Sequence, residues 1–183
     1  MTDYHVLSLD SPLGPAKDHG EALHIRDVPW ASRQMWAPDA AYRNGQYYLY
    51  FPARDKEDIF RIGVARSNRP EGPFVPEPSP IKGSFSIDPC VLPDDDGEFY
   101  MYFGGLWGGQ LQAWATGTFV RDAKTPPDEA PALCPKVARL TADMLQFATE
   151  PRDVVILDER GQPLLAGDNG RRYFEGPWMH KYQ

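Results

Sequence analysis

At 183 residues the chain is long enough to bury a substantial core, and its composition, 42% hydrophobic and 25% charged, excludes a disordered chain. No apolar run approaches the ~20 residues that a membrane-spanning helix needs. A formal net charge of -7 with scattered Lys and Arg excludes the basic face that a phosphate backbone requires, which leaves neutral or cationic small ligands as the expected partners rather than nucleic acid or membrane.

The opening stretch, MTDYHVLSLD, lacks the basic-then-apolar order of a secretory signal. A chain that truly starts at Met1 is therefore expected in the cytoplasm, whereas a chain whose start lies upstream is compatible with secretion. The run DYHVLSLDSPLGP has the features of the outer strands of a β unit, without an inner hairpin of its own. Nineteen prolines and sixteen glycines then punctuate short aromatic and β-branched runs, and no stretch keeps apolar residues at a 3.6-residue spacing, so the chain reads as all-β. One exception is expected: a helical turn in ARLTADMLQFA, residues 138–148.

Self-similarity is the most informative feature. Asn44-Gly45-Gln46-Tyr47-Tyr48-Leu49-Tyr50-Phe51 aligns without a gap on Asp96-Gly97-Glu98-Phe99-Tyr100-Met101-Tyr102-Phe103, an offset of 52 residues. Each copy opens on a dipeptide suited to a type I′ hairpin turn and continues into an aromatic strand. Upstream of each lies an Asp beside a Pro, in WAPDAAYR and in SIDPCVLPDD, and SPLGP at 11–15 is echoed by RPEGPF at 69–74. Short strands repeating in the same order at this period predict a β-propeller, with residues 1–34 ending a first blade, 35–83 forming a second, 84–170 a third with an insertion, and 171–183 starting a fourth.

In a propeller the innermost strand of every blade lines one channel. On that reading Asp39, Asp88 and Glu175 occupy equivalent places, so three carboxylates are expected to converge. Such a group is what glycoside hydrolysis uses, one carboxyl donating a proton to the leaving oxygen and another acting on water or on the sugar. Glu175 is the acid candidate, because Phe174 and Trp178 beside it and a nearby Asp88 would all favour its protonated form. Trp36 and Trp107 offer indole faces to a sugar ring, and Gln110, Gln112 and Arg172 offer polar groups to its hydroxyls.

Each of these residues also has a plainer reading. Asp39 can cap a turn, Arg171-Arg172 can be a surface pair, and each of the five tryptophans can be packing between blades. Asp94-Asp95-Asp96 reads as a solvated hairpin turn, since its spacing does not fit a calcium loop. GGLWGG lacks a nucleotide-binding order and reads as a bend with close backbone approach. Cys90 and Cys134 have no CxxC partner and read as packed, reduced thiols; His5, His19, His24 and His180 show no metal-ligand spacing. No metal or cofactor is expected.

WAPDAAY, SIDPCVLPDDDGEFYMYFGG and FEGPWMHKY, in this order and spacing, resemble glycoside hydrolase family 43 along essentially the whole chain. The resemblance implies a five-bladed propeller that cleaves β-xylosyl or α-L-arabinofuranosyl linkages by an inverting, single-displacement mechanism without a cofactor. It places the general acid on Glu175 and, on Asp88, the carboxylate that orients the acid and modulates its pKa. Trp36 and Trp107 fall on the sugar subsite, and Asp39 becomes a pocket residue outside the catalytic three; Arg172 remains a candidate substrate contact from its polar group alone. The family's general base, an Asp on the innermost strand of the first blade, has no counterpart here, since neither Asp3 nor Asp10 matches its motif. The chain is thus expected to be a piece of a longer enzyme, inactive alone. Two other readings stand: a non-catalytic carbohydrate-binding propeller that closes by oligomerising, and a fructan-cleaving enzyme with a similar carboxylate trio.

Overall fold

The computed structural model describes residues 1–182, and among them every regular element longer than a single turn is a strand. The chain is all-β. Strands β1 (Asp3–Ser8) and β2 (Lys17–His24) pair antiparallel as a first sheet. A second sheet contains β3 (Ala31–Arg33), β4 (Asp39–Arg43), β5 (Gln46–Asp55), β6 (Phe60–Ser67) and β7 (Val75–Pro76). In it β3 and β4 share one edge of β5, while β6 and β7 follow on the other. The third sheet is an antiparallel meander of β8 (Cys90–Pro93), β9 (Phe99–Phe103), β10 (Lys136–Arg139) and β11 (Arg152–Asp153).

Strand β5 explains how the sheets stack. Side chains alternate across a strand, so a segment apolar at every position must bury both faces. The run Tyr48 to Ala53 does so: Leu49, Phe51 and Ala53 pack with Tyr4, Leu23 and Met35, whereas Tyr48 and Tyr50 pack with Val91, Met101 and Phe103. The second sheet is therefore sandwiched between the first and the third.

The two matching hairpins close differently. Asn44 and Gly45 both have positive φ (52° and 82°) and join Arg43 to Gln46, the two-residue I′ turn that the sequence predicts. At the second copy only Gly97 has positive φ, at 81°, because the ladder ends at Pro93 opposite Phe99 and the turn runs over Asp94 to Gly97, closed by a Gly97 N to Asp94 O bond of 3.0 Å. That shift of register has a consequence for the carboxylates. Asp39 pairs with Tyr50, whereas Cys90 pairs with the matching Tyr102, so Cys90 is the positional counterpart of Asp39 and Asp88 lies two residues ahead of the strand. The expected equivalence of Asp39 and Asp88 is thereby corrected.

The helical turn expected at 138–148 is also absent. Residues 136–139 are β10, and the chain then folds back through a tight turn in which Met144 has φ of 67° and its N–H reaches Thr141 O at 2.8 Å. The Asp143 carboxylate accepts from the Thr141 hydroxyl and from Leu145 N, a local side-chain bonding pattern that competes with helix. The short 3₁₀ turns lie elsewhere, at Ile25–Asp27, Trp107–Gly109 and Leu111–Trp114. Beyond Glu175 the described residues form no strand.

The fully buried Tyr50 hydroxyl donates to Met144 O at 3.0 Å and so ties the second sheet to the turn after β10. Tyr50→Phe leaves that carbonyl unpaired in the core, and urea unfolding should show a loss of about 1–2 kcal/mol; unchanged stability would contradict this role.

Candidate active site

The site is built where the third sheet meets the C-terminal segment. Ser86 and Asp88, just before β8, both adopt left-handed backbone, with φ of 63° and 56°. Non-glycine residues rarely take this conformation, and here two of them bend the chain so that Ile87 points inward (2% exposed) and Asp88 turns toward the C-terminal segment. Asp88 Oδ2 accepts a hydrogen bond from Gly176 N at 3.1 Å, next to Glu175.

Glu175 is held by backbone rather than by its side chain. It forms an isolated antiparallel bridge with Gly105, flanked by the Leu106 N to Phe174 O bond of 3.0 Å and by the Tyr173 hydroxyl donating to Gly104 O at 2.5 Å. The loop it docks on is GGLWGG, and the reason for its glycines is contact distance. A Cβ on Gly105 or on Gly109 would lie 2.7 Å from Ile87, closer than packed atoms come. Close backbone approach is what the sequence predicts for this motif.

The electrostatics single out Asp88. Burial, and secondarily the neighbouring Glu175 carboxylate, raise its pKa to about 6, against the opposing effect of the Gly176 N–H. Tyr173, buried and near both carboxylates, is pushed far above the ordinary phenol range by burial first and by those two charges next. The enclosure that the sequence predicts for Glu175 is not formed: Glu175 is exposed, Phe174 is 42% exposed and Trp178 78%, because neighbours along an extended segment project in different directions.

Asp39 is not part of this pair. Its Oδ2 accepts from Val91 N at 2.6 Å, so it braces β4 against β8; burial raises its pKa, partly offset by the Val91 and Ala40 amides. Trp36 and Trp107 do border the same turn. Trp36 is half-buried against Phe60 (ring centroids 4.7 Å) and its indole would meet a Cβ on Gly108 at 3.2 Å. Trp107, 55% exposed, sits 5.0 Å from the Phe174 ring, with the Arg172 guanidinium 5.6 Å from its own. Arg172 is largely committed within the chain, to Asn169 Oδ1 and Tyr173 O. Beside Trp107, between Asp128, Leu133, Asn169 and Arg172, lies a cavity of about 160 Å³.

The two glutamines offered above as sugar contacts are engaged as well. Gln110 accepts from Phe60 N and donates to Asp58 O; Gln112 accepts from Trp107 N and donates to Trp107 O. They hold the loop. Trp30 and Trp114 stack on Phe51 and Phe85, the packing role that is the default for a tryptophan. Cys90 is buried and both thiols are unpaired, each with its pKa raised by burial. Asp3, Glu21 and His24 bring one donor atom each within 4.8 Å of one another on the first sheet, but Glu21 pairs with Arg26 and His24 Nδ1 accepts from Arg26 N. Sequence reading missed Ser86, Tyr173 and Lys181, which bridges Asp94 and Asp95 at 2.8 and 2.7 Å and ties the C-terminal segment to the β8–β9 turn.

Residues 13–182 match the family model for glycosyl hydrolases family 43. This chain belongs to that family. It is 61% identical to the xylosidase/arabinosidase 43A of Humicola insolens and 56% identical to a xylosidase/arabinosidase of Bacteroides ovatus, in each case over 100% of this chain. A family 43 β-xylosidase/α-arabinofuranosidase from a compost microbial metagenome, solved with xylotriose, superposes with a TM-score of 0.97 at 60% identity, again over the whole of this chain. The chain spans 58% and 56% of the two enzymes' lengths and 56% of the solved one.

Carboxyl-carbon NMR should place the Asp88 midpoint near 6, and Glu175→Gln should lower it by removing the neighbouring charge. Folded Asp88 holds its proton more tightly than the unfolded chain does, whose carboxyl titrates near about 4. Its contribution to stability is therefore present below that pH and lost as pH rises through the folded value, so Asp88→Asn should gain stability relative to the parent between pH 4 and pH 7. An Asp88 midpoint indifferent to Glu175→Gln would contradict the pairing.

Proposed function

We propose that the chain carries the acid-bearing part of a glycoside hydrolase active site that acts on β-xylosyl or α-L-arabinofuranosyl linkages with inversion. The observation that carries this reading is the Asp88–Glu175 pair: two carboxylates from distant parts of a family 43 chain, one accepting the amide beside the other. The substrate class is supported by the relatives, named xylosidase/arabinosidase and, in one solved case, holding xylotriose.

In this reading the sheets are blades of a five-bladed propeller, with residues 1–34, 35–83, 84–170 and 171–183 as the end of the first, the second, the third and the start of the fourth. The β1–β2 sheet, the two meanders and the sandwiched β5 support it. Glu175 donates its proton to the glycosidic oxygen as the bond to the anomeric carbon breaks. Exposure suits that role, since the leaving group must reach it. Asp88 orients the segment, and burial, with the Glu175 charge second, keeps the Asp88 carboxyl protonated to higher pH than an isolated one. Trp36 and Trp107 flank the sugar, Arg172 steadies Trp107, and Asp39 sets the spacing of the inner strands. Among the described residues the charge that acts on Asp88 is that of Glu175. The general base that activates water on the opposite face is assigned to the part of the relatives' length that this chain does not span.

Proton NMR during early turnover of xylobiose by the protein at its native length should show release of the inverted anomer; a retained anomer would reject single displacement. Glu175→Gln should slow cleavage of xylobiose by roughly 10²–10⁴-fold while sparing aryl xylosides whose leaving groups need no proton. Tight binding of xylo-oligosaccharides with no cleavage by the parent protein would favour a carbohydrate-binding role instead.

A further inference from the structure

One buried hydroxyl binds the glycine loop of the candidate site without facing the site. Ser86 is 0% exposed. Its Oγ accepts from Gly105 N at 2.9 Å and donates to Gly109 O at 2.6 Å, with Gly105 O at 3.3 Å. Those two glycines bound the 3₁₀ turn that carries Trp107, and Gly105 is the residue bridged to Glu175. Asp88 follows Ser86 by two residues.

No other side chain supplies these bonds. The glycine loop cannot carry a side chain of its own at Gly105 or Gly109, because Ile87 occupies that space. Gln110 and Gln112 brace the far side of the loop, and at Gly105 N and Gly109 O the partner must be a group small enough to fit beside Ile87 and able to accept and donate at once. A serine hydroxyl meets both demands. The left-handed backbone at Ser86 is a strain that the two bonds offset, and the same twist aims Asp88 at Gly176.

We propose that Ser86 is a positioning residue whose hydroxyl fixes the Gly105–Glu175 bridge and the Trp107 turn in register with Asp88. The proposal rests on the functional reading above, in which Glu175 is the proton donor. Loss of the hydroxyl removes the partner of Gly105 N and loosens the bridge that Leu106 N and the Tyr173 hydroxyl continue to hold, so the acid shifts relative to the leaving oxygen while the rest of the core is intact. Proton donation is the step that suffers.

The test uses the protein at its native length with Ser86→Ala and Ser86→Gly. Glycine removes the hydroxyl and at the same time relieves the left-handed backbone, so it keeps the experiment decisive where alanine fails to fold. The expected result is a fall in kcat on xylobiose about tenfold greater than the fall on a dinitrophenyl xyloside, which needs little acid assistance. In parallel, the Asp88 midpoint read by carboxyl-carbon NMR should fall as Glu175 moves away. A general loss of folding would slow both substrates alike, so equal losses, or an Asp88 midpoint unchanged in Ser86→Gly, overturn the proposal. If the parent cleaves neither substrate the functional reading fails, and the NMR titration alone still decides whether Ser86 positions Glu175.

Discussion

The site depends on one close approach, that of the Gly104–Gly109 backbone to Ile87. Two chain segments can come this near only where one lacks side chains, and at Gly105 and Gly109 an added Cβ would sit 2.7 Å from Ile87. The candidate site is arranged around that contact: Gly105 docks Glu175, the turn between the glycines presents Trp107, and the bend that drives Ile87 inward directs Asp88 outward. A carboxylate pair assembled from residues 87 positions apart is thus positioned by backbone bonds rather than by long side chains, which suits a group that must hold its geometry while a substrate enters.

The rest of the fold supplies the platform. Because β5 is apolar on both faces, the second sheet joins its neighbours through two continuous cores, and cross-links of backbone to side chain add to them. Tyr50 reaches Met144 O, Asp39 reaches Val91 N, and Asp88 reaches Gly176 N. The first two bonds join the second sheet to the third, and the last ties the third sheet's approach to the C-terminal segment. Asp39 and Asp88 are alike in that each carboxylate accepts an amide from a later stretch of chain, although they do not share a place in their strands.

Much of this was legible in the sequence. The all-β class followed from the alternation of short aromatic runs with Pro and Gly, and the family from three motifs in order. The Asn44-Gly45 turn could be read because two adjacent positive-φ residues leave few alternatives. Asp96-Gly97 could not, since the same dipeptide closes a different turn when the ladder stops one step earlier, and a gapless alignment carries no information about that step. The false equivalence of Asp39 and Asp88 has the same origin. Aromatic neighbours of Glu175 suggested an enclosure, but an extended segment sends Phe174 and Trp178 away from it. Ser86 left no signal beyond its place two residues before Asp88, because its partners are backbone atoms of a glycine loop whose path the sequence does not specify.

On the proposed function, Glu175, docked on Gly105 beside Asp88, meets the bond that is broken. The most direct measurement is a crystal structure of the Glu175→Gln variant at native length with bound xylotriose. The side chain of residue 175 should lie within about 2.6–3.2 Å of a glycosidic oxygen, with the sugar ring between Trp36 and Trp107. Xylotriose bound with residue 175 turned to solvent, or seated away from both tryptophans, would contradict it.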